Sequence, residues 1–230
     1  MDIILVPGLW LDASSWEPVL PALEKAGHTA HPITLPGVGA PASQSAGIGI
    51  QDWVDAVVSE IDAIPGPVVL VGHSGGGNVV WGAAEARSER VRRVILVDTV
   101  PPPDGGQISE FEIVDGVIPF PGWDSFDAPE VADLDEQTRA TAALRTRTVP
   151  AKVPTDPVRL DGTARYTVPV TLLMGQLDDE AFRAAVSQWG RYGTEFDAIA
   201  DSEVVHLDSG HWPQFSQPDN LSRALVAAIR

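Results

Sequence analysis

At 230 residues the chain suits one large α/β domain, and a hydrophobic fraction of 44% is enough to fill its core. Against 32 acidic residues there are 15 basic ones, with Lys25 and Lys152 the only lysines; the net charge of −17 disfavours nucleic acid and anionic membranes as partners. The absence of cysteine excludes disulfides, thiolate catalysis and cysteine-ligated metal sites.

In chain order, Ile3 to Val6 reads as a buried strand, with no basic or small-residue targeting pattern before it. Trp16, Val19, Leu20 and Leu23 then recur at helical spacing, with Ser14 or Ser15 as the cap and Gly27 as the stop. His28 to Thr34 returns as a strand, and residues 35–49 form a long loop. Gln51 to Ile64 is an amphipathic helix that turns Trp53, Val54, Val57, Val58 and Ile61 inward and stops at Pro65-Gly66-Pro67. Val68 to Val71 is a second buried strand, followed after a glycine-rich turn by a helix to about Arg87. Arg93 to Asp98 is a further strand. Residues 101–168 then lack a clean strand and carry one helix from Pro129 to Thr148. Val168 to Met174 resumes as a strand, with a helix near Glu180 to Trp189, a last strand from Glu203 to Leu207 and a last helix from Pro218 to Arg230. Strands alternating with helices imply right-handed crossovers and a mostly parallel open sheet of about six strands flanked by helices. Residues 1–100 and 169–230 make its core. Residues 101–168 are too long for a connection and read as an inserted cap over the carboxyl ends of the strands. No apolar run approaches the ~18 residues that span a bilayer, and the expected setting is the cytoplasm.

The stretch that carries chemistry is Gly72-His73-Ser74-Gly75-Gly76, a buried strand stopped by a sharp turn with one hydroxyl at its apex. It matches the G-x-S-x-G nucleophile elbow, in which glycines let strand and helix approach around a strained serine. A serine needs a base to take its proton, and the base needs a carboxylate to hold its tautomer. Both follow later strands: Asp178 lies just past Val170 to Met174, and His211 lies in Ser209-Gly210-His211 after the last strand.

With this order of serine, acid and histidine the chain resembles the α/β-hydrolase fold family, in its small esterase and lyase branch, over nearly its whole length apart from the insertion. The resemblance implies Ser74 as nucleophile, His211 as general base and acid, and Asp178 as the orienting carboxylate. Asp179, and Asp98 at the end of an earlier strand, are the alternatives for the acid. The main-chain N–H groups of Leu9 and Gly75 would form the oxyanion hole, although Pro7-Gly8 replaces the family's usual His-Gly. Trp10, His73, Phe120, Trp123, Phe126 and Trp212 fall near the implied mouth and suit an apolar or aromatic acyl group. An equal reading makes most of these rings the insertion's own small core. The chemistry implied is hydrolysis of a small carboxylic ester or lactone through an acyl-enzyme, with no cofactor and no metal. A serine nucleophile argues against epoxide and haloalkane hydrolysis, which use aspartate on this fold. The alternatives are hydroxynitrile-lyase-like, C–C hydrolase or perhydrolase chemistry with the same triad, or a non-catalytic ligand receptor. The lyase loop threonine aligns with Gly8. The partner expected is a small-molecule substrate; a homodimer is compatible with the sequence.

Overall fold

The computed structural model describes residues 1–229. Strand β1 (Asp2–Val6) leads to a 3-10 turn over Ala13–Trp16 and then to helix α1 (Leu20–Lys25). The single helix expected here is split. Its cap is Asp12, which accepts from the Ser14 N–H, and neither Ser14 nor Ser15. Pro18 and Pro21 lack the N–H groups that would tie the two pieces into one ladder. Strand β2 (Thr29–Pro32), the one-turn α2 (Ala42–Ser45) and helix α3 (Ile50–Ala63) follow. Strand β3 (Val68–His73) then runs straight into helix α4 (Gly75–Ala86), with Ser74 between them, and β4 (Val91–Val97) comes next.

The expected insertion over residues 101–168, the cap, follows the loop that leaves β4. It contains β5 (Val117–Ile118), α5 (Ala128–Val131), α6 (Glu136–Ala143) and β6 (Val149–Pro150). The expected helix from Pro129 to Thr148 is broken, because Asp135 accepts from the Thr138 N–H and so starts a new helix in mid-run. The short antiparallel pairing of β5 with β6 has no counterpart in the sequence reading. Beyond the cap lie β7 (Val170–Met174), α7 (Asp179–Val186), α8 (Arg191–Asp197), β8 (Ser202–His206), α9 (Pro213–Ser216) and α10 (Pro218–Ala228). Helix α8 is unanticipated, and Arg230, the expected end of the last helix, lies outside the described residues.

The main sheet has six parallel strands in the order β2-β1-β3-β4-β7-β8. Its side chains alternate between two cores, as the period of two in a strand requires. Ile4, Val6, Val68, Leu70, Val94 and Leu96 face a cluster with Trp53, Trp81 and the cap. Ile3, Leu5, Val69, Val71, Ile95 and Val97 face Trp16, Leu23, Leu221 and Leu225 on the other side. With both faces covered, these strands read as unbroken apolar runs. The carboxyl ends of β3, β4, β7 and β8 are thereby set side by side, and the loops that leave them converge. No helix among the described residues is long and apolar enough to cross a membrane.

Candidate active site

Ser74 sits at φ 51° and ψ −126°, a left-handed conformation that a side chain adopts only under strain. The elbow is held there by packing. A Cβ at Gly72 would lie 2.6 Å from the Gly76 carbonyl oxygen, and one at Gly76 would lie 2.5 Å from that of Pro7. Only glycines let β3, α4 and the loop after β1 come this close. The Ser74 N–H is fixed to the Val97 carbonyl at 3.1 Å, which locks the elbow onto the neighbouring strand β4.

His211 Nε2 lies 2.9 Å from Ser74 Oγ, and His211 Nδ1 lies 2.5 Å from Asp98 Oδ2. The carboxylate on the histidine is therefore Asp98 and not Asp178. Asp98 leaves the end of β4, between the strands that carry Ser74 and the loop before Asp178. Asp178 is spent elsewhere: its side chain accepts from the Ala181 N–H and caps α7. Asp179 pairs with Arg183 on the same helix. A sequence cue separates the two aspartates. Asp178 precedes a helical run, where aspartate is a preferred cap, whereas Asp98 precedes Pro101-Pro102-Pro103 and has no helix to cap.

The pair is sheltered, with the side chains of His211 and Asp98 only 14% and 20% exposed. Burial alone would raise the Asp98 carboxyl. The hydrogen bond and positive charge of His211 and the N–H of Gly175, 2.9 Å from Asp98 Oδ1, outweigh it and hold the group below the usual carboxylate range. Asp98 is thus ionised and fixes Nδ1 as the protonated nitrogen, which leaves Nε2 to accept from the Ser74 hydroxyl.

The remaining expected residues divide. Among the described residues, the main-chain N–H groups of Leu9 and Gly75 donate to no group in the chain. Gly75 opens α4, so its N–H also lies at the positive end of a helix dipole. His73, expected to shape a pocket, is fully buried and presents nothing to a substrate. It lies beneath the histidine loop instead, donating from Nε2 to the His211 carbonyl oxygen at 2.7 Å. Desolvation, reinforced by the His211 charge, pushes the His73 imidazole down to about 3, so it stays neutral.

Trp10, Phe120, Phe126 and Trp212 form one cluster in which the two tryptophans are buried and meet the phenylalanines edge-on, Trp10 to Phe120 at 5.7 Å and Phe126 to Trp212 at 5.3 Å, while Phe120 stacks on Phe126 at 6.0 Å. Trp123 joins it against Phe120 and Trp212. Phe111, another ring of the insertion, packs on Trp10 at 4.8 Å. Trp10 and Trp212 come from core loops and the others from the cap, so the rings are both the cap's small core and its dock onto the active-site loops. Edge-to-face pairs contribute about 1 kcal/mol each beyond area burial. Ile108 of the cap reaches the elbow itself, beside Gly75. Among the described residues no cluster of side chains is arranged to hold a metal ion.

The sequence profile of the Alpha/beta hydrolase family matches residues 3–224. The chain is 31% identical over 109 residues to the carbendazim hydrolyzing esterase of Nocardioides sp. strain SG-4G, covering 46% of this chain and 45% of that protein. It is 34% identical over 99 residues to lipase LipV of Mycobacterium tuberculosis, covering 39% and 37%. These matches thus span less than half of either relative's length. Among solved structures, a pyrethroid hydrolase from Sphingobium faniae JZ-2 superposes with a TM-score of 0.72 at 21% identity, over 100% of this chain and 98% of its own. An extracellular alpha/beta-hydrolase from a Paenibacillus species gives 0.76 at 17% identity, over 99% and 98%. At such identities the likeness is one of fold.

Proposed function

The chain belongs to the alpha/beta hydrolase family, and we propose that it is a serine hydrolase that cleaves small carboxylic esters or lactones with an apolar or aromatic acyl group. The observation that carries the reading is the unbroken relay from Ser74 Oγ through His211 to Asp98, at 2.9 and 2.5 Å. Ser74 Oγ attacks the substrate carbonyl carbon as His211 Nε2 takes its proton. The oxyanion that forms is received by the N–H groups of Leu9 and Gly75. Collapse expels the alkoxide, which takes the proton back from His211. Water, deprotonated by His211, then attacks the acyl-enzyme and releases the acid and free Ser74. Asp98 holds Nδ1–H throughout and stabilises the imidazolium. No cofactor or metal enters these steps.

The half-buried cap rings Phe120, Trp123 and Phe126, packed over the buried Trp10 and Trp212, support the acyl preference, and the esterase and lipase named above, partial as their matches are, support the reaction class. Lyase chemistry is disfavoured at Gly8, where a Cβ would lie 2.7 Å from His73 Nδ1 and 3.1 Å from Ser74 Cβ, so the lyases' threonine has no room. The reading is tested with a panel of aryl and alkyl esters, lactones and cyanohydrins on wild type and Ser74→Ala. Ester or lactone turnover that disappears in Ser74→Ala, rising from acetyl to benzoyl groups, is expected. Cyanohydrin cleavage without ester turnover would contradict it, as would saturable ligand binding with no turnover at all.

A further inference from the structure

His211 is held by its main chain as well as its ring, and two of the holding groups come from the cap. The His211 N–H donates to the Glu130 carbonyl of α5 at 2.8 Å. The Gly210 N–H donates to Asp133 Oδ2, also at 2.8 Å. The approach is so close that a Cβ on Gly210 would collide with both the Glu130 carbonyl oxygen and Asp133 Oδ1. Asp133 Oδ1 is itself buried with no hydrogen-bond partner among the described residues. The buried acid Glu195 contrasts with it, being paired with Arg165 at 2.7 Å, and the half-buried Glu85 joins the same cation at 3.2 Å. No cation of the described residues within ion-pair distance neutralises Asp133. A partly desolvated carboxylate without a cation is costly. Among the described residues its one hydrogen bond comes from the Gly210 N–H, next to the general base.

We propose that Asp133 is a positioning residue for the general base, tying the docking of the cap to the placement of His211 against Ser74. The inference rests on the reading of Ser74 and His211 as nucleophile and base. Asp133 holds the Gly210 N–H, the Glu130 carbonyl holds the His211 N–H and His73 holds the His211 carbonyl, so the main chain on both sides of the base is fixed, two of its three anchors coming from the cap.

The test uses the full chain, p-nitrophenyl butyrate as substrate, and the variants Asp133→Ala and Asp133→Asn. The asparagine oxygen still accepts from Gly210; alanine does not. Small misplacements of a catalytic group cost up to about 100-fold, so Asp133→Ala should lower kcat about 10- to 100-fold with KM changed less than about threefold. Asp133→Asn should return kcat to within about threefold of wild type. The low-field proton resonance of the His211–Asp98 hydrogen bond should persist in wild type and Asp133→Asn and shift or broaden in Asp133→Ala. An unchanged kcat with a raised KM in Asp133→Ala overturns the proposal, as does Asp133→Asn falling as far as Asp133→Ala. If Asp133→Ala fails to fold by circular dichroism, Gly210→Ala probes the same contact from below; a folded Gly210→Ala with wild-type kcat overturns the proposal too. Turnover that survives in Ser74→Ala defeats the underlying reading of the site, whatever Asp133 does.

Discussion

Asp98→Asn is expected to lower kcat by about 10⁴-fold, the typical cost of a triad aspartate made neutral, while Asp178→Asn leaves it within about twofold. The reason lies in one proton. Asp98 Oδ2 accepts from His211 Nδ1 at 2.5 Å. An asparagine there keeps the shape and the bond from Gly175 but turns an N–H toward the ring, so the favoured tautomer carries its proton on Nε2. Nε2 then has no lone pair for the Ser74 hydroxyl. At position 178 the same substitution preserves function, because asparagine caps a helix about as well as aspartate and the Ala181 N–H remains satisfied. Steady-state kinetics on the two variants, with circular dichroism to confirm folding, settles the assignment. Loss of turnover in Asp178→Asn alone would overturn it.

A comparable effect, on stability, is expected from His73. Its imidazole is pushed down to about 3, by burial first and the His211 charge second. In the unfolded chain a histidine titrates near 6.5. As pH falls from about 6.5 toward 3, the unfolded state takes up a proton that the folded state refuses, so stability drops across that window and is intact above it. At about 1.4 kcal/mol for each pKa unit, the loss between pH 7 and pH 4.5 is roughly 3 kcal/mol. His73→Gln removes this titration while keeping a donor for the His211 carbonyl. Urea unfolding at the two pH values should therefore show wild type losing roughly 3 kcal/mol more than His73→Gln on acidification. Parallel losses in the two proteins would contradict the burial of a neutral imidazole at this position.

The extent to which the sequence foretold the site follows from the range of the forces involved. The elbow was legible because its cause is local: an apolar run, two flanking glycines and a serine lie within one short stretch, and they fold into β3, Ser74 and α4. The alternating strands were legible for the same reason, since a sheet covered on both faces demands unbroken apolar runs. Which carboxylate meets His211 is a lateral question. It depends on β4 lying between β3 and β7, and no spacing along the chain encodes that neighbourhood. Helix capping, a local effect, does distinguish Asp178, which caps α7, from Asp98, which has no helix to cap. The role of His73 was hidden because its partner is a main-chain carbonyl 138 residues away. The broken cap helix was missed because the cap's apolar content serves ring packing against Trp10 and Trp212, which imposes no helical period.

Acylation of Ser74 Oγ is tested by incubating the protein with an aryl phosphonate, which traps an activated serine, and locating the added mass on the digested chain. One equivalent of label is expected on the peptide containing Ser74, accumulating in step with the loss of esterase activity and absent from Ser74→Ala. Label on another residue, or ester turnover that continues unlabelled, would contradict it.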